Sequence, residues 1–174
     1  MIVELKKEQL KDINKPNEPF MVVGEILPRY ENDIWFFSEL YYEEPYLKSY
    51  PNDEENYVEY IDNPDKVVYL FYEENKCVGQ VRLRRNWNKY AFIEDIAVCK
   101  NARGHGIGST LINKAIEWAK QKNLYGLMLE TQDNNLLACK FYHKCGFKIG
   151  AVDTMLYANF DNYNEKAIFW YLKF

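Results

Sequence analysis

Length, composition and charge narrow the class of protein before any motif is considered. The chain has 174 residues, of which 48% are hydrophobic and 17% aromatic, and its formal net charge is −4. This composition is typical of one packed domain and excludes a disordered chain. The negative charge gives no general support to a nucleic-acid or anionic-membrane partner, so we expect a cationic partner.

The chain lacks the patterns of export and of metal binding. Residues 1–8 alternate apolar and charged side chains without the apolar core of a signal peptide, and no apolar run is long enough to span a membrane. Neither His105 nor His143 belongs to a metal-ligand spacing. We therefore expect a cytoplasmic protein without a metal, whose cysteines are reduced thiols: Cys77, Cys99, Cys139 and Cys145.

The first predicted strand covers residues 20–27, an apolar run between Pro19 and Pro28. Residues 30–62 are both acidic and aromatic, and such a surface is suited to bind an organic cation by charge and by cation–π contact. The alternative is a solvated acidic face over an aromatic core. The acidic residues of this region are Glu31, Asp33, Glu39, Glu43, Glu44, Asp53, Glu54, Glu55, Glu59 and Asp62.

A regular strand pattern begins near residue 66. It predicts strands at 67–72 and 77–83 joined by a turn, and a third strand at 90–99. Arg82 and Arg84 alternate along the second of these strands, as residues on one solvent-facing edge would. We therefore do not predict that these arginines bind nucleic acid.

Three glycines connect the strand at 90–99 to a helix predicted over about 106–122, and they lie at positions 104, 106 and 108. The first-turn N–H groups of this helix, with Arg103 before them and the Ser109 hydroxyl beside them, form a cradle suited to a phosphate or diphosphate. The nucleoside-triphosphate loop is excluded because no Lys follows the last glycine, and the dinucleotide fingerprint is weak because its third glycine would be Ser109. A glycine-rich helix entry that binds no ligand is the remaining alternative.

The rest of the chain alternates strands and one further helix. The patterns predict a strand at 126–131, a turn at 132–135, a helix ending at 145–146, and closing strands at 147–158 and 166–174 around a polar loop. This order implies an α/β (α+β) fold, with a mixed sheet that has helices on both faces. The apolar closing strand, residues 167–172, is a candidate homodimer contact.

Two motifs resemble those of the GCN5-related N-acetyltransferase (GNAT) superfamily. Arg103-x-x-Gly106-x-Gly108 resembles its acyl-coenzyme A loop, and Asn135-x-x-Ala138-x-x-Phe141-Tyr142-x-x-Cys145-Gly146-Phe147 is similar to its second signature. Within the superfamily, residues 77–98, 129–136 and 153–160 resemble the streptothricin acetyltransferases. The likeness extends from the N-terminal region to Phe174.

The resemblance implies one GNAT-like domain over residues 1–174, built on a mixed, mostly antiparallel twisted sheet. It implies a substrate side at about 20–65 and an acetyl-coenzyme A-binding core at about 66–174. The implied reaction is acetyl transfer from acetyl-coenzyme A to an amine on the β-lysine part of streptothricin, a small cationic substrate. The alternatives are a protein, peptide or polyamine N-acetyltransferase and a non-catalytic acyl-coenzyme A-binding module.

The resemblance also implies which residues contact acetyl-coenzyme A. Acetyl-coenzyme A would be bound by the main chain of the strand, by the glycine loop and by the second signature: Ile96, Ala97 and Val98; Arg103, Gly104, His105, Gly106, Ile107, Gly108 and Ser109; Asn135 and Tyr142. Candidate contacts to the amine substrate are Glu39, Tyr41, Asp95 and Glu130.

An alkylammonium group must lose a proton before it can attack a thioester, so the reaction needs a base. Strand alternation places Glu94 and Asp95 on opposite faces, and we predict that Glu94 is the base; its alternative is a structural carboxylate paired with an arginine. Tyr142 is the predicted acid that protonates the departing thiolate. Its alternative is a core tyrosine packed by Phe141 and Phe147.

Overall fold

The computed structural model describes residues 1–52 and 54–174; Asp53, an acidic residue of the 30–62 region, lies outside the described residues. Its strands are β1 (Ile2–Glu4), β2 (Phe20–Glu31), β3 (Ile34–Lys48), β4 (Lys66–Glu73), β5 (Lys76–Arg85), β6 (Ala91–Val98), β7 (Gly126–Gln132), β8 (Lys148–Asp153) and β9 (Ala167–Lys173). Its helices are α1 (Ile107–Gln121), α2 (Leu136–Lys144) and the 3₁₀ helices Lys7–Asp12, Tyr57–Tyr60 and Lys100–Ala102.

The chain divides into two compact units. The first unit contains residues 1–20 and 49–127, and the second contains residues 21–48 and 128–174. The acidic and aromatic region, residues 30–62, is divided between the two units; the substrate side at about 20–65 and the acetyl-coenzyme A-binding core at about 66–174 stay predictions.

The first unit is built on an antiparallel sheet in the order β1-β4-β5-β6. Helix α1 covers one face of it: a Cβ at Gly79 of β5 would lie 2.9 Å from a side-chain atom of Ile107. A glycine at this position therefore lets the helix pack close to the strand. The first two 3₁₀ helices, Lys7–Asp12 and Tyr57–Tyr60, lie on the opposite face, at a core cluster that contains Leu5, Tyr60, Val68, Leu70 and Cys77.

Helix α1 confirms the prediction over about 106–122. Ile107, Leu111, Ala115 and Ala119 are all buried and recur at the spacing of one helix face. Burying this stripe against the sheet stabilises the helix and fixes the position of its N-terminus, where the glycine loop ends.

The second unit contains the two-stranded sheet β2-β3 and strands in the order β7-β9-β8. Strand β9 lies between two neighbours, and Ala167, Ile168 and Trp170 are fully buried. Both edges of this strand are thus paired within the sheet, while Phe169, Tyr171 and Leu172 are partly exposed, so the homodimer contact stays a prediction. Strand β8 ends at Asp153, five residues earlier than predicted.

The chain thus has a mixed α/β fold with a mainly antiparallel sheet, which confirms the predicted fold class. Among the described residues, neither helix combines the length and the apolar character that crossing a bilayer would require.

Candidate active site

The glycine loop has the conformation that its sequence predicts. Strand β6 is followed by the short 3₁₀ helix, and Gly104 and Gly106 then adopt φ of 82° and 85°. These left-handed values favour glycine. Gly106 is the N-cap of α1, and the amide of Thr110 donates the first helical hydrogen bond to the Gly106 carbonyl at 3.0 Å. The preceding amides, Ile107 to Ser109, therefore have no acceptor within the helix and are available to a ligand.

The loop is open on its glycine side. A Cβ atom added at Gly104 or Gly106 would meet no described atom within 4 Å, and His105 and Ser109 are exposed. Helix N-terminal amides without an intrahelical acceptor, beside an open glycine loop, are suited to bind a diphosphate.

Arg103 contributes to this loop differently from what its sequence position suggests. Its Nε donates to the carbonyl of Val98 at 2.8 Å, and its two other nitrogens contact the carbonyls of Pro19 and Glu18 at 3.5 and 3.4 Å. The guanidinium group thus ties the loop to the end of β6 and to the N-terminal segment. We infer that Arg103 shapes the cradle.

A β-bulge controls the two acidic residues before the loop. Asp95 lies opposite Arg82 and Ile93 opposite Leu83, so Glu94 is an extra residue in β6. Both carboxylates consequently lie on the face of β5 that carries Arg82. The prediction that alternation separates Glu94 and Asp95 is wrong, because a bulge shifts the side-chain alternation by one residue.

Glu94 is ion-paired at both carboxylate oxygens and accepts a hydrogen bond at one of them. Its Oε2 accepts a hydrogen bond from the Tyr60 hydroxyl at 2.7 Å and lies 3.5 Å from Nε of Arg82, while its Oε1 lies 3.0 Å from Nε of Arg84. Arg82 is only 6% exposed, so the prediction of a solvent-facing arginine edge is wrong for this residue. Burial, together with the hydrogen bond to Glu94, raises the pKa of Tyr60.

Asp95 belongs to a second polar network on the same face. Gln80 donates from Nε2 to Asp95 Oδ2 at 2.5 Å and to Asn14 Oδ1 at 3.1 Å. Asn14 in turn donates from Nδ2 to the Tyr57 hydroxyl at 2.8 Å. Tyr57 and Tyr60 belong to the aromatic residues of the 30–62 region, whereas Gln80 was not predicted; the alternation of Gln80, Arg82 and Arg84 along β5 was the available signal.

In the second unit, Asn135 and Tyr142 occupy well-defined positions on α2. Asn135 is the N-cap, and its side-chain oxygen accepts a hydrogen bond from the Ala138 amide at 3.4 Å. Tyr142 is buried, and its ring centroid lies 5.9 Å from that of Phe147 and 6.4 Å from that of Trp170. This packing fixes the direction of the Tyr142 ring.

The candidate contacts to the amine substrate in the second unit differ in exposure. Glu39 is exposed, and its Oε2 accepts hydrogen bonds from Lys140 Nζ at 2.8 Å and from the Tyr41 hydroxyl at 2.7 Å, which lower its pKa. Glu130 of β7 is half-buried, and its carboxylate accepts a hydrogen bond from the Tyr157 hydroxyl. Burial raises the pKa of Glu130.

Comparison with known proteins identifies the family. The model of the Acetyltransferase (GNAT) family matches residues 31–147. Streptothricin acetyltransferase A of Bacillus subtilis (strain 168) is 52% identical over 174 residues, which is 100% of both chains. A streptothricin acetyltransferase of Escherichia coli is 34% identical over 155 residues, covering 88% of this chain and 86% of its own.

A solved structure supports the same assignment. It is that of a candidate streptothricin acetyltransferase from Bacillus anthracis str. Ames in complex with acetyl coenzyme A. Its TM-score is 0.93 at 40% identity, covering 100% of this chain and 99% of that chain. A family model that matches more than half of the chain, and relatives that align along nearly all of it, agree: the chain belongs to the acetyltransferase (GNAT) family.

Proposed function

We propose that this protein transfers the acetyl group of acetyl-coenzyme A to an amine on the β-lysine part of streptothricin. The observation that carries the proposal is the 52% identity, along the whole of both chains, to a protein named streptothricin acetyltransferase A. A new amide bond forms as the thioester C–S bond breaks, and the product loses the positive charge of the amine.

Acetyl-coenzyme A is proposed to lie with its diphosphate on the cradle formed by residues 103–109. The left-handed Gly104 and Gly106, the open space beside them and the uncapped first turn of α1 support this placement. The main chain of Ile96 to Val98 is proposed to contact the pantetheine arm. Asn135 is proposed to bond to the pantetheine amides in addition to its capping role.

The acceptor amine needs a base, and two carboxylates are candidates. The sequence favours Glu94. Its carboxylate already forms ion pairs with Arg82 and Arg84 and accepts a hydrogen bond from Tyr60. The specific observation that favours Glu130 is that burial raises its pKa, because a base works best when its pKa lies near the working pH. We propose Glu130 as the base and Glu94 as an ion-paired support of β6.

The departing thiolate needs a proton, and Tyr142 is the proposed donor. A phenol is protonated at neutral pH and can transfer a proton to a thiolate. The rings around Tyr142 would hold its hydroxyl in one direction, which supports a positioned acid.

Steady-state assays of thiol release from acetyl-coenzyme A test the substrate. Streptothricin, spermidine, an aminoglycoside and a lysine-containing peptide are supplied in parallel at equal ionic strength. We expect the highest kcat/KM with streptothricin, and mass spectrometry should show one added acetyl group on its β-lysine. Faster turnover of spermidine or of the peptide would contradict the substrate assignment.

A further inference from the structure

A polar pocket lies in the second unit, which also contains Glu130, Asn135 and Tyr142. Its volume is about 290 Å³, and its walls include four carboxylates, two phenols and three asparagines. Asp133 and Asn134 of this wall directly precede the Asn135 cap of α2. The charge of Glu165, another wall residue, adds to the rise in the pKa of Glu130, so the pocket and Glu130 are electrostatically coupled.

The pocket has an excess of negative charge. Its carboxylates are Glu25, Asp133, Asp161 and Glu165. Among the described residues, the ion pairs of this pocket bring only two lysines to them: Lys48 lies 2.5 Å from Glu165, and Lys166 lies 3.1 Å from Asp133. Two positive charges against four negative ones leave the site attractive to a further cation.

Aromatic rings form another wall. Tyr42 and Tyr46 of β3 have nearly parallel rings, with an interplanar angle of 9° and centroids 6.4 Å apart. Burial, followed by the charge of Glu25 and a hydrogen bond to it, raises the pKa of Tyr42 to about 12. The Tyr46 hydroxyl accepts a hydrogen bond from Asn134 Nδ2 at 3.1 Å. Neutral phenol rings beside carboxylates are suited to organic cations, whose apolar part contacts the ring and whose charge the carboxylates attract.

The size of the pocket limits what can enter it. A volume of about 290 Å³ lies at the lower end of small-molecule sites, so it suits one head group of a larger ligand. The asparagine side chains offer amide oxygens that accept hydrogen bonds from N–H donors. An alkylammonium or guanidinium group on a longer molecule meets all of these requirements.

We propose that this pocket binds a cationic head group of the acceptor substrate other than the amine that is acetylated, and so contributes to substrate selection. The inference rests on the proposed function, because it assigns the pocket to the same acceptor. The pocket would select acceptors that carry two separated positive charges over acceptors that carry one.

Kinetics of Asp161→Asn and Tyr46→Leu test the proposal, since both residues are exposed and their replacement leaves the core intact. We expect KM for streptothricin to rise about five- to tenfold in each variant, while kcat and KM for acetyl-coenzyme A change less than about twofold. The matched control is Glu74→Gln, which removes an exposed carboxylate from the turn between β4 and β5 of the first unit. An unchanged KM for streptothricin in both variants overturns the proposal.

A binding measurement separates this inference from the proposed function. Methylguanidinium chloride is titrated into the wild-type protein and into Asp161→Asn, with sodium chloride at the same ionic strength as control, and the side-chain amide resonances of Asn134 and Asn162 are followed by NMR. We expect saturable shifts in the wild type that weaken in the variant. Absent shifts in a wild-type protein that acetylates streptothricin refute the pocket alone; shifts in a protein that does not acetylate streptothricin refute the proposed substrate alone.

Discussion

The two units place acidic side chains in opposite environments. In the first, Glu94 lies between Arg82 and Arg84 and accepts a hydrogen bond from Tyr60. In the second, burial raises the pKa of Glu130. An ion-paired carboxylate stabilises the strands that it joins, whereas a carboxylate with increased proton affinity is suited to accept a proton near neutral pH. If the proposed roles hold, the environment of a carboxylate, more than its position beside a motif, decides whether it can act as a base.

Neutralising Glu130 and Glu94 in turn is the most decisive test of their proposed roles. We expect Glu130→Gln to lower kcat for streptothricin by about 10²- to 10⁴-fold, the usual contribution of a general base, and Glu94→Gln to lower it by less than about tenfold. Steady-state kinetics at saturating substrates measure both. The reverse order would restore Glu94 as the base.

Tyr142→Phe tests the proposed proton donor. It keeps the ring that packs against Phe147 and Trp170 and removes only the hydroxyl. We expect kcat to fall by about 10²- to 10⁴-fold. Calorimetric affinity for acetyl-coenzyme A should change by less than about threefold, a change of about 0.6 kcal/mol. An unaltered kcat would mean that another group protonates the thiolate.

Unfolding free energies test whether Glu94 contributes more to stability than Glu130 does. Glu94→Gln removes the negative charge that lies 3.5 Å from the almost fully buried Arg82 and 3.0 Å from Arg84, so we expect a loss of about 3 kcal/mol in urea denaturation. Glu130→Gln replaces a carboxylate that burial disfavours by a neutral amide, and its effect should be smaller than about 1 kcal/mol or stabilising. Equal losses in the two variants would remove the distinction between the units.

Gly106→Val tests the backbone cradle of the first unit. We expect affinity for acetyl-coenzyme A to fall at least about tenfold, and the strain of a branched residue at φ 85° should cost about 1–3 kcal/mol of stability. Calorimetry and thermal unfolding measure the two effects. Gly106→Ala is the control, because it carries the same type of strain with less bulk toward the ligand. Unchanged binding in the valine variant would refute the cradle.

The smallest expected effect is a pH dependence of stability. Because the pKa of Glu130 is raised in the folded state, the folded protein binds this proton more tightly than the unfolded chain does. Its contribution to stability therefore falls as pH rises from the ordinary value of 4.5 toward the raised pKa. The Glu130→Gln variant lacks this loss. Its unfolding free energy, relative to that of the wild type, should therefore increase as pH rises from 4.5 toward the raised pKa.

Glu39→Gln is the control for this measurement, because the opposite pH dependence of stability is expected for it. The pKa of exposed Glu39 is lowered by hydrogen bonds from Lys140 and Tyr41, so its contribution is present above pH 4.5 and is lost as pH falls through the lowered pKa. Glu39→Gln should therefore weaken the protein relative to the wild type at neutral pH and approach it in acid. A relative stability of Glu130→Gln that stays flat with pH would contradict the raised pKa.

Local patterns were sufficient for most elements of the first unit. The strands predicted at 67–72, 77–83 and 90–99 correspond to β4, β5 and β6, and the predicted helix corresponds to α1. Each carries a clear apolar periodicity bounded by turn residues, which depends only on neighbours in the chain. The family assignment was confirmed for the same reason, because its motifs are short and contiguous.

Strands β1, β3 and β8 were missed or given wrong bounds, each for a different reason. Strand β1 has only three residues, and its pairing with β4 brings together segments far apart in sequence. Strand β3 spans Ile34–Lys48 but carries Pro45 and several acidic residues, so its pattern does not resemble a strand. Strand β8 was predicted too long, because Asp153 accepts hydrogen bonds from the amides of Met155 and Leu156 and starts a turn there.

The sequence by itself determined the family, the fold class and the glycine loop, because glycine spacing and apolar periodicity act through the backbone and through adjacent residues. Only the tertiary structure decided the environments of the acidic side chains. A bulge brought Glu94 and Asp95 to one face, and burial raised the pKa of Glu130. Bulges and burial arise from contacts between segments that are distant in the chain, and a carboxylate takes its chemical character from those contacts.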